Sequence, residues 1–463
     1  MPKTLNTSHL KQLKNCKDPV QFGKMLQSFS SCSLRNTTVI KDYHDLLLFH
    51  CAFPATGHIY KLAIAELERM SNEVKLIMEH NSIRNHLALM GSGLPHTELL
   101  CTYSFSLTNW LQKKFPNQVG LDSSEASPET IRKILYLFLP KNEYQRATQG
   151  ELNLKNRIKY LSGLTDASDQ LRWLVRLFNE SPLPLDVKEE FYDQLKIFVR
   201  WKLEEAFFSR SFLHAETSSI HYQHLFHHPV NASQLVRQPI DPPLDINLKT
   251  RRRIVEIMKA TLAFQYKEID PFTYANENEL ELFDLGQGMR LALIGMVNEK
   301  KLSIENYIGY MAFRNGVPVA YGGGWLFGQR CKIGINIFEP FRRGESGWLF
   351  TQILRVYYHQ HSARHFIVKP FQFGKGNPEG LKSGAFWFYY KLGFRPQEKK
   401  IRDLAKDEWE KKRMISGHRT TISRLKQLAS SNVELKLQRK VWPEYDASVL
   451  SEQFSEGQQM LAI

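Results

Sequence analysis

Two arginines, Arg342 and Arg343, stand directly before Gly344, Glu345, Ser346 and Gly347 in the run NIFEPFRRGESGWLFTQIL, residues 336–354. The run opens apolar and β-prone, passes Pro340, and closes on an apolar pattern with helical spacing from Trp348 to Leu354. A strand, a turn of small residues and a helix in that order build an anion site. The first helical amides have no intrahelical acceptor, the positive end of the helix dipole faces the turn, and glycine lets backbone approach a ligand closely. The two arginines add attraction at longer range, and a doubly charged pyrophosphate suits the cradle. Glu345 would repel that guest unless its side chain turned to solvent.

A second run, GAFWFYYKLGFRP (384–396), places Tyr389 and Tyr390 on a helix that is aromatic all round and stops at Gly393. Together the two runs resemble signatures of the GNAT acyltransferase superfamily. The first resembles its acyl-coenzyme A loop, an Arg-x-x-Gly-x-Gly/Ala turn between strand and helix, aligned here on Arg343. In the second, Ala385, Tyr389, Leu392, Gly393 and Phe394 fall at the superfamily's spacings. The resemblance covers about residues 280–400 and none of the N-terminal half. Three positions depart from the pattern: Ser346 replaces the usual first glycine, Trp348 the usual final small residue, and Lys382 a common asparagine, with Asn377 further upstream. The chain as a whole resembles bacterial proteins of unassigned function that join a helical N-terminal region to such a domain.

The resemblance implies a mixed-sheet, GNAT-like α/β domain that takes acetyl-CoA or another acyl-CoA as co-substrate and passes the acyl group to a primary amine by direct attack. It gives the backbone of Asn336, Ile337 and Phe338 to the pantetheine amides, and the stretch Arg342, Arg343, Gly344, Glu345, Ser346, Gly347 and Trp348 to the pyrophosphate. An amine with a pKa near ~10 must lose a proton before it attacks, through a base, a water relay or desolvation. The leaving thiolate needs a donor, and Tyr389 holds the motif position for it; the same residue would equally serve to pack its helix on the sheet. Glu305, Glu339 and His359 are the acid–base residues nearest in sequence, each suited also to a plain surface role. Gln372 lies in the loop before the second signature. Two other functions share these residues: a non-catalytic GNAT-fold module that binds a ligand or partner, and an aminoacyl-tRNA-dependent transferase.

The elements that must hold these groups follow from pattern. At 463 residues the chain exceeds one usual hydrophobic core. Residues 1–230 read as mainly helical: HIYKLAIAELERMSNEVKLIMEH (58–80) is one long amphipathic helix, Ser127-Pro128 starts another, and Asp186 with Glu189 reads as a capping box opening a helix from 187. Four prolines between 229 and 245 mark a linker at 231–248. The acyltransferase-like domain then spans 249–400, opening on a helix after Arg251-Arg252-Arg253. Its hairpin, YIGYMAF and VPVAYGGGWLF, turns at Asn315-Gly316, with Gly322 to Gly324 leaving room for something to approach the backbone. One strand over 331–338 precedes the loop, and residues 401–463 read as a charged helical extension with a poorly ordered tail.

Five cysteines without CxxC spacing argue against a disulfide framework or a thiolate zinc site, and so for a reducing compartment. No apolar run has the length of a membrane span, and the first residues lack a signal-peptide pattern, so a cytoplasmic protein is expected. The net charge of +15, roughly two-thirds of it after residue 240, favours anionic partners and permits nucleic acid. His214, His221, His224, His227 and His228 crowd one stretch beside Pro229, which reads as a histidine-rich linker rather than a metal site.

Overall fold

The computed structural model describes residues 4–80, 83–143, 150–204, 215–217, 219–223, 230–302, 304–342, 345–438 and 447–461. The chain is mixed α/β and divides into two compact units. One comprises Met1–Cys51, Thr56–His214 and Glu256–Ile269; the other comprises Ala52–Ala55, Ala215–Val255 and Asp270–Ile463. Among the described residues, no helix is long and apolar enough to cross a membrane.

In the first unit the long helix runs Gly57–Glu79, capped by the Thr56 side chain, and buries Ile59, Ala63, Leu67, Met70 and Val74 along one stripe. Glu66 joins that stripe because its carboxylate accepts from Tyr43 and Arg69. Pro128–Phe138 is helical with Ser127 as its cap, as the Ser-Pro pair predicts. The expected capping box fails: helix Leu185–Gln194 has no side-chain cap, and Glu189 accepts instead from the amides of Phe105 and Ser106, at the start of helix Phe105–Lys114. The sequence beyond Gln194 leaves the helix, because IFVRWK alternates buried and exposed side chains and forms a strand. This unit therefore contains a sheet that a mainly helical reading omits. Its strands are β1 (Glu98–Cys101), β2 (Val119–Ser124) and β3 (Ile197–Lys202), antiparallel in the order β1-β3-β2.

The second unit is built on one sheet. Its strands are β4 (Glu281–Asp284), β5 (Met289–Ile294), β6 (Asn306–Arg314), β7 (Val317–Phe327), β8 (Arg330–Ile333), β9 (Asn336–Ile337), β10 (His365–Val368), β11 (Arg395–Pro396) and β12 (Val433–Lys436). The order is β11-β12-β10-β8-β7-β6-β5-β4, with β9 paired to β7. Every pairing is antiparallel except β8 with β10. The hairpin forms as expected, with Asn315 and Gly316 both at positive φ, 48° and 80°, as a primed turn requires. Helices Ser346–Gln360 and Ala385–Lys391 supply Phe350, Ile353, Leu354, Tyr357, Phe386 and Tyr389 to the core.

Two expectations change here, for the linker and for the C-terminal extension. The segment read as a Pro-rich linker belongs to the second unit: Ala232–Leu235 is a short helix, and the Leu244 amide bonds the Leu282 carbonyl at 2.7 Å. The charged extension contributes β12, which lies inside the sheet between β10 and β11, and Ala447–Leu461 is helical. The basic triplet is largely engaged with its own chain, since Arg251 donates to the carbonyls of Ile246, Asn278 and Leu280, and Arg252 pairs with Glu277 at 2.8 Å.

Glu434 fixes β12 to its neighbours. Burial alone would raise its carboxyl, but hydrogen bonds from His365, Lys436 and Gln397 outweigh that and bring it down to about 2. A carboxyl depressed by folding stabilises the native state above its unfolded pKa, and that contribution disappears as the pH falls from about 4.5 through about 2. Replacing Glu434 by Gln is expected to lower stability by roughly 1–2 kcal/mol at neutral pH, after discounting for solvent screening. Denaturant unfolding from pH 7 down to acid checks this: the two proteins should converge in acid, and a constant gap would remove the carboxyl from the cause.

Candidate functional site

The strand expected over 331–338 is interrupted. Both parts pair with β7, but the ladder breaks where Gly334 and Ile335 stand opposite Gly322 and Gly323. Tyr310 on β6 explains the break. It sits directly across from Gly322, and its ring crosses the space that a Gly322 side chain would fill, so that its hydroxyl donates to the Gly334 carbonyl. The other two glycines are covered in the same way, Gly323 by the Tyr307 ring and Gly324 by Tyr357. What the triple glycine admits is the protein's own tyrosines.

Beyond the break, β9 pairs with β7, while β10 pairs with β8 and β12 and not with β9. The Phe338 amide donates to Val319 of β7 at 3.1 Å. Strand alternation then turns the backbone groups of Asn336 and Phe338 towards β7 and those of Ile335 and Ile337 towards the opposite edge. Of the three residues expected to meet a ligand's amides, only Ile337 therefore offers backbone groups there; the Phe338 N–H is already used. The Ile337 carbonyl accepts from Arg342 Nε at 3.4 Å.

Three side chains meet the broken segment. Tyr310 bonds Gly334; Tyr389 makes a hydrogen bond with the Ile335 backbone; and the Gln372 carboxamide lies where a Cβ on Gly334 would go. Burial pushes the Tyr389 hydroxyl well above the usual phenol range, against the opposing effect of its Ile335 hydrogen bond. Its ring is edge-on to Phe350, Phe373, Phe388 and Phe394, so packing and hydroxyl placement coexist at this residue. Tyr390 faces a different group, Trp387, Phe386 and Trp409. Asn377 caps the short helix Pro378–Ser383 and donates to Phe371, while Lys382 is exposed. Glu305 pairs with Lys332 at 2.8 Å and so is engaged on the sheet.

The turn after β9 carries the second half of the site. Arg343 and Gly344 lie outside the described residues. Arg342 is exposed and pairs with Glu379. Glu345 points neither at a ligand nor at solvent: its carboxylate is buried and lies 3.2 Å from the Arg314 guanidinium, with both side chains 1% exposed. Arg314 also donates to the Gln287 carbonyl and to Gln223, and lies over the rings of Phe53 and Trp348 at 5.4 and 5.3 Å. Burial works against the charge of Arg314, and the Glu345 carboxylate supports it.

This arrangement revises two expectations. Trp348 does not crowd the turn, because its side chain is buried against Arg314. Glu345 cannot contact a phosphate through its carboxylate, and its charge is matched by Arg314, so the helix end keeps its attraction for an anion. Helix Ser346–Gln360 begins without a side-chain cap, and among the described residues the Ser346 and Gly347 amides have no backbone acceptor. Among the described residues a Cβ on Gly347 would meet Leu392 alone, at 3.5 Å, an ordinary van der Waals contact.

Of the histidine cluster only His221 lies within the described residues, and its backbone is held by the Asn315 side chain. Among the described residues no group of histidines, cysteines and carboxylates has the geometry of a metal site. No protein-family model, curated protein or solved structure matches this chain.

A buried ion pair beneath the turn makes a sharp forecast. Arg314→Met or Glu345→Leu alone leaves one charge buried without its counterpart and should cost about 3–5 kcal/mol, whereas Arg314→Met with Glu345→Leu should recover much of that. Urea unfolding of the three variants measures it; equal, additive losses would mean that the two groups do not act as a pair.

Proposed function

We propose that the second unit is a GNAT-like acyl-CoA-dependent N-acyltransferase. The observation that carries this reading is the parting of β8 and β10, one parallel pair in an otherwise antiparallel sheet. Their ladder ends at Lys332 and Ile367, ahead of the break at Gly334, after which the open edge of β9 leads through a short turn into the helix at Ser346, which has no side-chain cap. A ligand with amides along a flexible arm and a pyrophosphate at its end matches those two features in order. The Ile337 backbone takes an amide of the arm, and the Ser346 and Gly347 amides with Arg342 and Arg343 take the diphosphate. The strand order, with β12 inserted between β10 and β11, supports the same fold expectation.

At the inner end of the arm the thioester lies beside Gly334 and Ile335. There the neutral amine attacks the acyl carbon, a new C–N bond forms, the C–S bond breaks and the thiolate takes a proton from a donor, while the nitrogen releases one proton to solvent, which restores the donor. We assign that donor role to Tyr389, because its hydroxyl bonds the Ile335 backbone at the break and a phenol is protonated at neutral pH. Gln372 borders the same point and contributes a neutral amide to orient the acyl oxygen or the amine. Tyr389 has a competing role as a packing residue, favoured by the four rings around it. The aminoacyl-tRNA reading gains nothing from the first unit, whose three-stranded sheet is not a second copy of this one.

Calorimetric titration with acetyl-CoA and longer acyl-CoAs tests the proposal, with binding expected for at least one. Gly347→Glu brings no clash at its Cβ among the described residues and should abolish that binding by repelling the diphosphate; unchanged affinity would move the site elsewhere. Tyr389→Phe should lower turnover, read as thiol release with an amine panel, by on the order of a hundredfold while leaving cofactor affinity nearly unchanged. An unaltered rate would assign the ring to packing.

A further inference from the structure

The helix Lys399–Met414 and the helix Ile422–Leu428 are joined by a turn whose composition is one-sided. From Lys411 to Lys426 the chain carries six lysines and arginines and no carboxylate. At the same place it exposes three large aliphatic side chains, Met414 at 82%, Ile415 at 54% and Ile422 at 50%. Such side chains gain nothing in water. They stand among Lys411, Arg413, Arg419 and Arg424, all exposed.

The turn is held in shape rather than loose. The Ile415 amide closes the first helix on Lys411, the His418 amide bonds the Ile415 carbonyl, and Gly417 supplies the positive φ of 79°. Glu408 is buried and takes both Lys411 and His418, and the exposed Asp407 and Glu410 of the preceding turns offset only part of the six positive charges that follow them. Trp409 stacks on Trp387 and anchors the helix to the core from its other side. The fold thus fixes a turn that exposes apolar and cationic side chains together.

We propose that this turn is a docking surface for an anionic lipid bilayer. Aliphatic side chains enter the interfacial zone while lysines and arginines meet lipid phosphates, and a surface with both needs both. Nucleic acid is the weaker match, since single strands are held by aromatic stacking, for which residues 411–426 have no Phe, Tyr or Trp, and exposed Met and Ile serve a duplex only as wedges into a kinked minor groove. The inference stands apart from the acyl-transfer reading and survives its failure.

The test is co-sedimentation of the full chain with vesicles of phosphatidylcholine alone or mixed with phosphatidylglycerol, at about physiological salt. Binding should need the anionic lipid. Met414→Gln with Ile415→Gln, and separately Arg413→Gln with Arg419→Gln, should each weaken it on the order of tenfold, with unfolding temperatures unchanged because all four side chains are exposed. Absence of binding to the mixed vesicles overturns the proposal. So does full binding by the Met414/Ile415 variant, which would mean adsorption by charge alone, or tighter binding to an RNA oligomer that the same aliphatic changes leave intact.

Discussion

One hydroxyl decides the shape of the sheet in the C-terminal half. Tyr310 reaches across a glycine of the neighbouring strand to take the Gly334 carbonyl, and from that point the strand cannot keep its ladder on both sides. The interruption separates β8 from β9, gives Tyr389 a backbone partner at Ile335, and leaves one edge open just before the chain turns into a helix. Any side chain at Gly322 would meet that phenol. The glycine run is therefore a structural condition for the open edge, whatever ligand the edge takes.

Beneath the turn, a second constraint works by charge. Arg314, from the end of β6, and Glu345, from the start of the helix, neutralise each other out of water, with the Phe53 and Trp348 rings on the guanidinium. A buried pair is poor evidence of net stability but strong evidence of fixed geometry, since neither partner can leave without exposing the other to an apolar environment. It sets where the helix begins and keeps its amide end facing outward. The carboxylate that looks hostile to an anion in sequence is, in the fold, part of the support for the turn.

Much of this was legible from residue order alone. The Asn-Gly turn gave the hairpin, Ser-Pro gave a helix start, and the periodicity of 58–80 gave a helix to within a residue. Side-chain partners across strands were not legible. In an unbroken hairpin Tyr310 would face Tyr321, but the register slips at Val319, between Pro318 and Ala320, and the slip moves Tyr310 opposite Gly322. Arg314 and Glu345 lie thirty-one positions apart, with nothing local to tie them. Glu189 formed an acceptable local capping pattern and was taken by a helix more than eighty positions away. Strand β1 carries too few residues to show an alternation, β2 does not alternate, and β12 sits in a stretch whose charge hides it.

The late arrival of β12 bears on how the polypeptide matures. Strand β11 pairs only with β12, and β10 has β8 on one flank and β12 on the other. While the ribosome is still short of residue 433, His365–Val368 is a bare sheet border and Arg395–Pro396 has nowhere to attach. This half of the molecule closes its sheet only once Val433–Lys436 has been translated, and a stop codon ahead of that strand would leave an adhesive border exposed to neighbouring chains.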